Sequence, residues 1–165
     1  MAAGKINESR RTSVQKTSER EVVVTRTFDA PARLVFEAWS KPELFRQWWV
    51  PRSMGMTLRS CEMDVRTGGS YRLVFGDVPA NTMAFFGRYL DVVPDQRIVW
   101  TNEESGDAAS VTTVTFEERD GKTLLVLREL YPTKEALDAA GTGAQDAMGE
   151  TFAQLDELLV DLAAR

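Results

Sequence analysis

The sequence contains no histidine, and this absence excludes several kinds of active site. Without histidine the chain cannot form a Ser-His-Asp or Cys-His catalytic set, a histidine metal site or a histidine acid–base pair. The single cysteine, Cys61, excludes an internal disulfide and a thiolate metal site, and it fits a reducing cytoplasm. We therefore expect a cytoplasmic protein with no catalytic residue, metal or cofactor. The sequence favours a non-enzymatic protein but leaves an enzyme open.

Long apolar runs are also missing, so the sequence predicts neither a membrane span nor a signal peptide. The net charge is −5, but residues 1–20 carry five basic and two acidic side chains, which leaves −8 for the remainder. This acidic remainder argues against nucleic acid as a partner. Because residues 1–20 also have few apolar side chains, they predict a disordered polar tail before a single domain at 21–165.

The end of the chain carries the clearest helical pattern. Apolar residues recur there at steps of three and four, which places them on one face of a long amphipathic helix over 144–163. The opposite face is predicted to be solvated. The apolar stripe comprises Ala144, Ala147, Met148, Phe152, Leu155, Leu158, Leu159 and Leu162, and the polar face comprises Asp146, Glu150, Gln154, Glu157 and Asp161.

The region before this helix reads mainly as strand. A β-branched segment at 21–28 is followed by two short helices and then by six strands with turn signals between them. Short connections predict an antiparallel meander, and one face of such a sheet needs a cover. We therefore expect an α+β fold in which a curved sheet wraps the long helix. The six predicted strands are 57–65, 71–75, 82–93, 97–102, 110–117 and 123–131.

Several spaced motifs resemble one known family. They are the segments 28–31 (FDAP), 39–43 (WSKPE), 48–51 (WWVP), 64–69 (DVRTGG), 87–94 (GRYLDVVP), 111–117 (VTTVTFE) and 149–152 (GETF). In this order they resemble the START-like (SRPBCC) superfamily, in the branch of homologues of the activator of the heat-shock-protein-90 ATPase. The resemblance covers about residues 22–163, nearly all of the predicted domain.

This resemblance implies a helix-grip (START/Bet v-like) fold with a cavity between the sheet and the C-terminal helix. The superfamily contains lipid and hormone carriers, polyketide cyclases and co-chaperone domains, so three functions remain open. The first is binding of a small hydrophobic or amphipathic molecule, such as a lipid or an aromatic polyketide. The second is a co-chaperone-like module with a chaperone as partner and a role in the stress response. The third is a cyclase- or hydrolase-like enzyme in which Tyr71, Arg88 or Glu129 orients substrate and water.

The predicted ligand-binding residues are mostly aromatic, although aromatic residues at these spacings also form ordinary cores. Glu129 joins them because it shares a strand face with Leu125 and Leu127, but an edge position at the cavity mouth explains it equally well. Gly87 leaves the register of its strand open, so Phe85 and Tyr89 are alternatives to Phe86. The predicted set is Trp49, Tyr71, Phe75, Phe86, Trp100, Glu129, Met148 and Phe152.

Overall fold

The computed structural model describes residues 12–76, 80–103 and 109–164. Its strands are β1 (Ser13–Lys16), β2 (Glu21–Phe28), β3 (Leu58–Met63), β4 (Ser70–Phe75), β5 (Met83–Val93), β6 (Arg97–Asn102), β7 (Ser110–Arg119) and β8 (Lys122–Leu130). Its α-helices are α1 (Ala32–Ser40), α2 (Pro42–Phe45), α3 (Lys134–Ala140), α4 (Gly143–Asp146) and α5 (Met148–Ala163). Among the described residues, no helix is both long enough and apolar enough to cross a lipid bilayer.

The strands of the described residues form one curved, eight-stranded antiparallel sheet in the order β1-β2-β8-β7-β6-β5-β4-β3. The predicted meander is confirmed, since each strand from β3 to β8 pairs with the next along the chain. The last strand, β8, then pairs with β2 at the start of the domain. The helix-grip fold is therefore confirmed, with α5 on the concave face of this sheet.

The long helix begins later than its apolar pattern suggests. The stretch predicted as one helix over 144–163 is divided at Ala147 into the single turn α4 and the sixteen-residue helix α5. Phe152, in the second turn of α5, is fully buried and packs edge-on against Phe28 of β2, with ring centroids 5.4 Å apart. α5 thus anchors the first strand of the domain to the core.

Gln154 corrects the predicted polar face of this helix. Its side chain is buried, and its amide bonds to the backbone of the segment that follows α2. Nε2 donates to the carbonyl oxygens of Trp48 and Val50, both at 2.9 Å, and Oε1 accepts from the backbone N–H of Arg52. The sequence predicted that this polar residue is solvated. In the structure its amide instead satisfies three backbone groups that would otherwise lack a hydrogen-bond partner.

The first described residues also differ from the predicted tail. Residues 13–16 form the edge strand β1, whose Val14 pairs with Val24 of β2. Thr12 is buried, and its hydroxyl accepts a hydrogen bond of 2.8 Å from Arg26. Few apolar side chains are needed for this strand because its backbone groups bond to an existing sheet edge. The rest of the predicted tail, residues 1–11, lies outside the described residues.

Candidate functional site

A cavity of about 290 Å³ lies between the concave face of the sheet, the helices α1 and α2, and the first turn of α5. Its floor is set by strand register: Tyr89, Trp100, Thr112 and Glu129 form one cross-strand row on β5, β6, β7 and β8. The cavity is lined by Trp39, Phe45, Trp49, Met63, Tyr71, Leu73, Phe75, Phe85, Tyr89, Ile98, Trp100, Asn102, Thr112, Leu127, Glu129 and Met148.

Six of the eight residues in the predicted set line this cavity. They come from the segment after α2, from the three strands β4, β6 and β8, and from the start of α5. Their lining position shows that the strand and helix faces were read correctly, while binding by these residues stays a prediction. The six are Trp49, Tyr71, Phe75, Trp100, Glu129 and Met148.

The other two predicted residues lie elsewhere. Phe86 is 40% exposed and lies outside the cavity lining, whereas its neighbours Phe85 and Tyr89, the stated alternatives, both line it. Phe152 is fully buried and packs among other rings, so it supports the wall without lining the cavity. Both corrections follow from side-chain direction, which rotates with helix position and alternates along a strand.

Gly87 fixes the strand face that sequence reasoning left open. It pairs with Tyr71 on β4, and a Cβ at this position would lie 1.9 Å from the carbonyl oxygen of Thr101 on β6. No side chain fits in that space, so β5 approaches β6 closely here. Tyr71 donates from its hydroxyl to the same Thr101 carbonyl at 2.8 Å. The close approach therefore also positions a cavity-lining tyrosine.

One side of the cavity carries a network of polar side chains. Asn102 Oδ1 accepts from the Tyr71 hydroxyl and from Trp100 Nε1, each at 3.2 Å. Asn102 Nδ2 donates to Ser110 Oγ at 3.0 Å and to Thr112 Oγ1 at 2.9 Å. Sequence reasoning missed Asn102 and Thr112. Asn102 lies two residues after Trp100 on β6, and Thr112 is the cross-strand partner of both Trp100 and Glu129, so all four share one face of the sheet.

The network continues to the carboxylate of Glu129. Ser110 Oγ donates to Glu129 Oε2 at 3.3 Å, and Gln145 Nε2 donates to Glu129 Oε1 at 2.9 Å. Gln145 also donates to the Tyr131 hydroxyl at 3.0 Å. Burial, and then the negative charge of Glu129, raise the pKa of Tyr131 above its usual value. Glu129 is the one charged residue among the described residues that line the cavity.

The opposite side of the cavity is a cluster of aromatic rings. Trp49 is half-buried and stacks on Phe45 with centroids 4.8 Å apart, whereas Trp48 is fully buried and donates from Nε1 to the carbonyl oxygen of Ala38. Trp39 packs against Trp48 and Trp49 at 4.9 and 5.8 Å. With Trp100 from the floor, three tryptophans line the cavity: Trp39, Trp49 and Trp100.

The structure brings together only part of the polar set that an enzyme would use. Tyr71 and Glu129 line the cavity, but Arg88 lies outside its lining and pairs with Glu103 at 2.8 Å. Burial raises the pKa of the Cys61 thiol, which disfavours the reactive thiolate. Within the described residues, no three potential metal-binding side chains come together. The arrangement provides shape and hydrogen bonding rather than an evident acid–base pair.

Solved structures with the same fold come from several bacteria. A protein of Rhodobacter sphaeroides is 25% identical over 92% of this chain and 99% of its own, with a TM-score of 0.80. A protein of Mycobacterium smegmatis is 22% identical over 90% and 96%, with a TM-score of 0.75. A protein of Rhizobium leguminosarum is 27% identical over 91% and 98%, with a TM-score of 0.64. These similarities support the fold along nearly the whole described chain.

No curated protein matches the chain at a significant level. A family model does: "Activator of Hsp90 ATPase homolog 1-like protein" matches residues 29–160. This range includes α1, α2, the meander and most of α5, and therefore every element that lines the cavity. The chain belongs to the family of proteins that are like activator of Hsp90 ATPase homolog 1.

Proposed function

We propose that this protein binds a small hydrophobic or amphipathic molecule in the cavity between its sheet and α5. The observation that supports this most is the mixed lining: a wall of aromatic rings faces a short row of polar groups ending at Glu129. Ligand sites in proteins are mostly apolar with a few placed polar groups that orient the ligand. Packed protein cores contain few spaces larger than a water molecule, and this cavity is many times that size.

The cavity volume favours a compact ligand. At about 290 Å³ it is about twice the roughly 150 Å³ that accommodates a benzene molecule. A two-ring aromatic molecule matches this space, whereas a four-ring sterol or a long-chain lipid would need the walls to move. Aromatic ligands would also pack edge-on or offset against the rings of Trp49 and Phe75.

The test combines tryptophan fluorescence with thermal unfolding across fatty acids, sterols and two-ring aromatics. Three of the four tryptophans line the cavity, so a bound ligand should change the intrinsic emission. A ligand present at 100 times its Kd should stabilise the fold by about 2.7 kcal/mol. Saturable emission changes with a raised Tm for the aromatics support the proposal, and no response from any compound contradicts it.

A pair of variants on one helix controls for binding outside the cavity. Met148→Trp adds bulk at a lining position, so the ligand-induced rise in Tm should disappear. Val160→Trp adds the same side chain at a position on α5 that is 70% exposed, so the rise should persist. Loss of the rise in both variants, or in neither, would show that the molecule binds elsewhere.

A co-chaperone-like module is the second candidate, because the family description names an ATPase activator. Phe86 and Leu90 are 40% and 46% exposed on β5 and offer an apolar contact outside the cavity. The test adds the purified protein to a heat-shock-protein-90 ATPase assay, with the double variant Phe86→Ser and Leu90→Ser as control. Stimulation that the double variant lacks supports this function, and an unchanged ATPase rate contradicts it.

A further inference from the structure

Trp39 differs from the buried tryptophans Trp48 and Trp100 in that its indole N–H makes no hydrogen bond within the described part of the chain. It lines the cavity and is only 2% exposed, yet its Nε1 has no hydrogen-bond partner among the described residues. Trp48 Nε1 donates to Ala38, and Trp100 Nε1 donates to Asn102. A buried indole N–H usually finds a partner, and leaving one unsatisfied costs about 1–3 kcal/mol.

The surroundings of Trp39 explain why the protein supplies no acceptor. Its ring lies among those of Phe45, Trp48, Trp49, Trp100, Phe116 and Phe152, with centroids 4.9 to 6.3 Å away. Aromatic rings offer only their faces as weak acceptors. Trp39 lines the cavity, but Nε1 itself is buried among these rings, so a stronger acceptor reaches it from the cavity when the Trp39 ring turns or a neighbouring ring moves.

We propose that Trp39 Nε1 is the hydrogen-bond donor that selects the ligand, and that the ligand is a neutral aromatic molecule with an acceptor oxygen. This inference rests on the proposed function and narrows its ligand class. The lining contributes the carboxylate of Glu129 and, among the described residues, no lysine or arginine. An anionic ligand such as a fatty acid would therefore enter without a cationic partner and against a like charge.

Three probes of similar size test the proposal: naphthalene, 2-acetylnaphthalene and 2-naphthoate. Each is titrated into protein labelled with ¹⁵N at the tryptophan indoles, and the Kd is read from the indole N–H signals. We expect 2-acetylnaphthalene to bind about five- to tenfold more tightly than naphthalene, as one neutral hydrogen bond allows. It should move the Trp39 N–H signal downfield. We expect 2-naphthoate to bind more weakly than the ketone.

Two matched variants assign the preference to one N–H group. Trp39→Phe removes the free donor and should reduce the ratio between the two neutral probes to about one. Trp100→Phe removes an N–H that is already bonded to Asn102, so it should weaken both probes alike and preserve the ratio. If Trp39→Phe fails to fold, the shift of the Trp39 indole N–H signal in the unmodified protein still shows whether this group bonds to 2-acetylnaphthalene.

The outcomes separate this inference from the proposed function. Equal binding of naphthalene and 2-acetylnaphthalene would overturn the role of Trp39 while leaving a ligand-binding cavity. An indole signal of Trp39 that stays upfield in the complex would also overturn it, since such a signal indicates an N–H that still lies against the face of a neighbouring aromatic ring. Failure of all three probes to bind would reject the proposed function and this inference together.

Discussion

The concave face of the sheet carries a charged side chain near each of its two ends, and the two charges lie in different surroundings. At one end, the guanidinium of Arg26 on β2 is completely buried, pairs with Asp156 of α5 and lies 5.6 Å from the Phe28 ring centroid. At the other end, Glu129 on β8 lines the cavity. Arg26 pairs in register with Leu125, and the four residues from there to Glu129 span about 13 Å.

The difference between these ends lies in what covers them. Asp156 and the buried residues that follow it on α5 close the Arg26 end with a charge partner and apolar side chains. The Glu129 end faces Met148, at the very start of α5, and Ser110 and Gln145 donate hydrogen bonds to its carboxylate. The Arg26 end therefore holds a structural ion pair, whereas the Glu129 end borders the cavity in which we propose that a ligand binds.

The largest expected effect on stability comes from removing the ion pair between Arg26 and Asp156. Asp156→Ala leaves a completely buried guanidinium without its charge partner, so the free energy of unfolding should fall by about 3–5 kcal/mol. Urea unfolding measures this loss. Asp161→Ala removes an exposed carboxylate from the same helix and should change stability by less than about 0.5 kcal/mol. Similar losses from both variants would contradict a structural role for the Arg26 pair.

A smaller loss of stability is expected when the segment that contains Trp49 loses its hydrogen bonds to Gln154. Gln154→Ala removes the amide that bonds to Trp48, Val50 and Arg52, so unfolding should require about 2–3 kcal/mol less. Ligand affinity should fall as well, because the released segment contains Trp49. Glu157→Ala breaks only an exposed pair with Arg52 and should cost less than about 1 kcal/mol. Equal effects of the two variants in urea unfolding and ligand titration would count against this anchoring.

Alkaline pH should weaken the fold through the tyrosines near the Glu129 end. Burial raises the pKa of Tyr89, as it does that of Tyr131, so both stay protonated in the folded protein after they ionise in the unfolded chain. Their stabilisation is complete below pH ~10 and is lost as pH rises through the folded pKa. Urea unfolding should show up to about 1.4 kcal/mol less stability at pH 11 than at pH 9 from Tyr89, with a further loss in the same direction from Tyr131.

Tyr89→Phe provides the control for this pH dependence. The variant lacks one titrating hydroxyl, so its stability should fall less steeply between pH 9 and pH 11 than that of the unmodified protein. Tyr89 lines the cavity, and phenylalanine keeps an aromatic ring at that position. An identical slope in the two proteins would show that the buried Tyr89 hydroxyl does not govern the alkaline loss.

The smallest effect on stability is expected at Glu129. Glu129→Gln keeps an oxygen that can accept from Gln145 and Ser110, so unfolding should change by less than about 1 kcal/mol. Removing the charge should nevertheless raise the affinity for 2-naphthoate about three- to tenfold and leave that for 2-acetylnaphthalene nearly unchanged. A large loss of stability without any change in ligand selectivity would show that Glu129, like Arg26, has a structural role instead.

The elements of the fold could be predicted from the sequence because their signals are local. Turn residues such as those at 119–121 separate alternating strands, and the apolar steps from Met148 to Leu159 identify the helix face. These patterns also placed Tyr71 and Trp100 correctly, since period-two alternation fixes a strand face once the core side is known.

The errors in the candidate site depend on contacts between distant segments. Phe86 was preferred to Phe85 because the sequence does not show that the Thr101 carbonyl excludes a side chain at Gly87. Gln154 looked solvent-exposed because its backbone partners lie 102 to 106 residues earlier in the chain. The free indole N–H of Trp39 could not be found either, because only the packed aromatic cluster reveals which tryptophan lacks an acceptor.

The most direct test of the central claim, that the cavity receives a ligand, follows the four tryptophan indoles in one NMR titration with 2-acetylnaphthalene. Trp39, Trp49 and Trp100 line the cavity, whereas Trp48 is fully buried outside its lining and bonded to Ala38. We predict saturable shifts of the three lining signals with one common Kd, and little change at Trp48. Shifts confined to other parts of the protein, or none at all, would contradict a ligand-binding cavity.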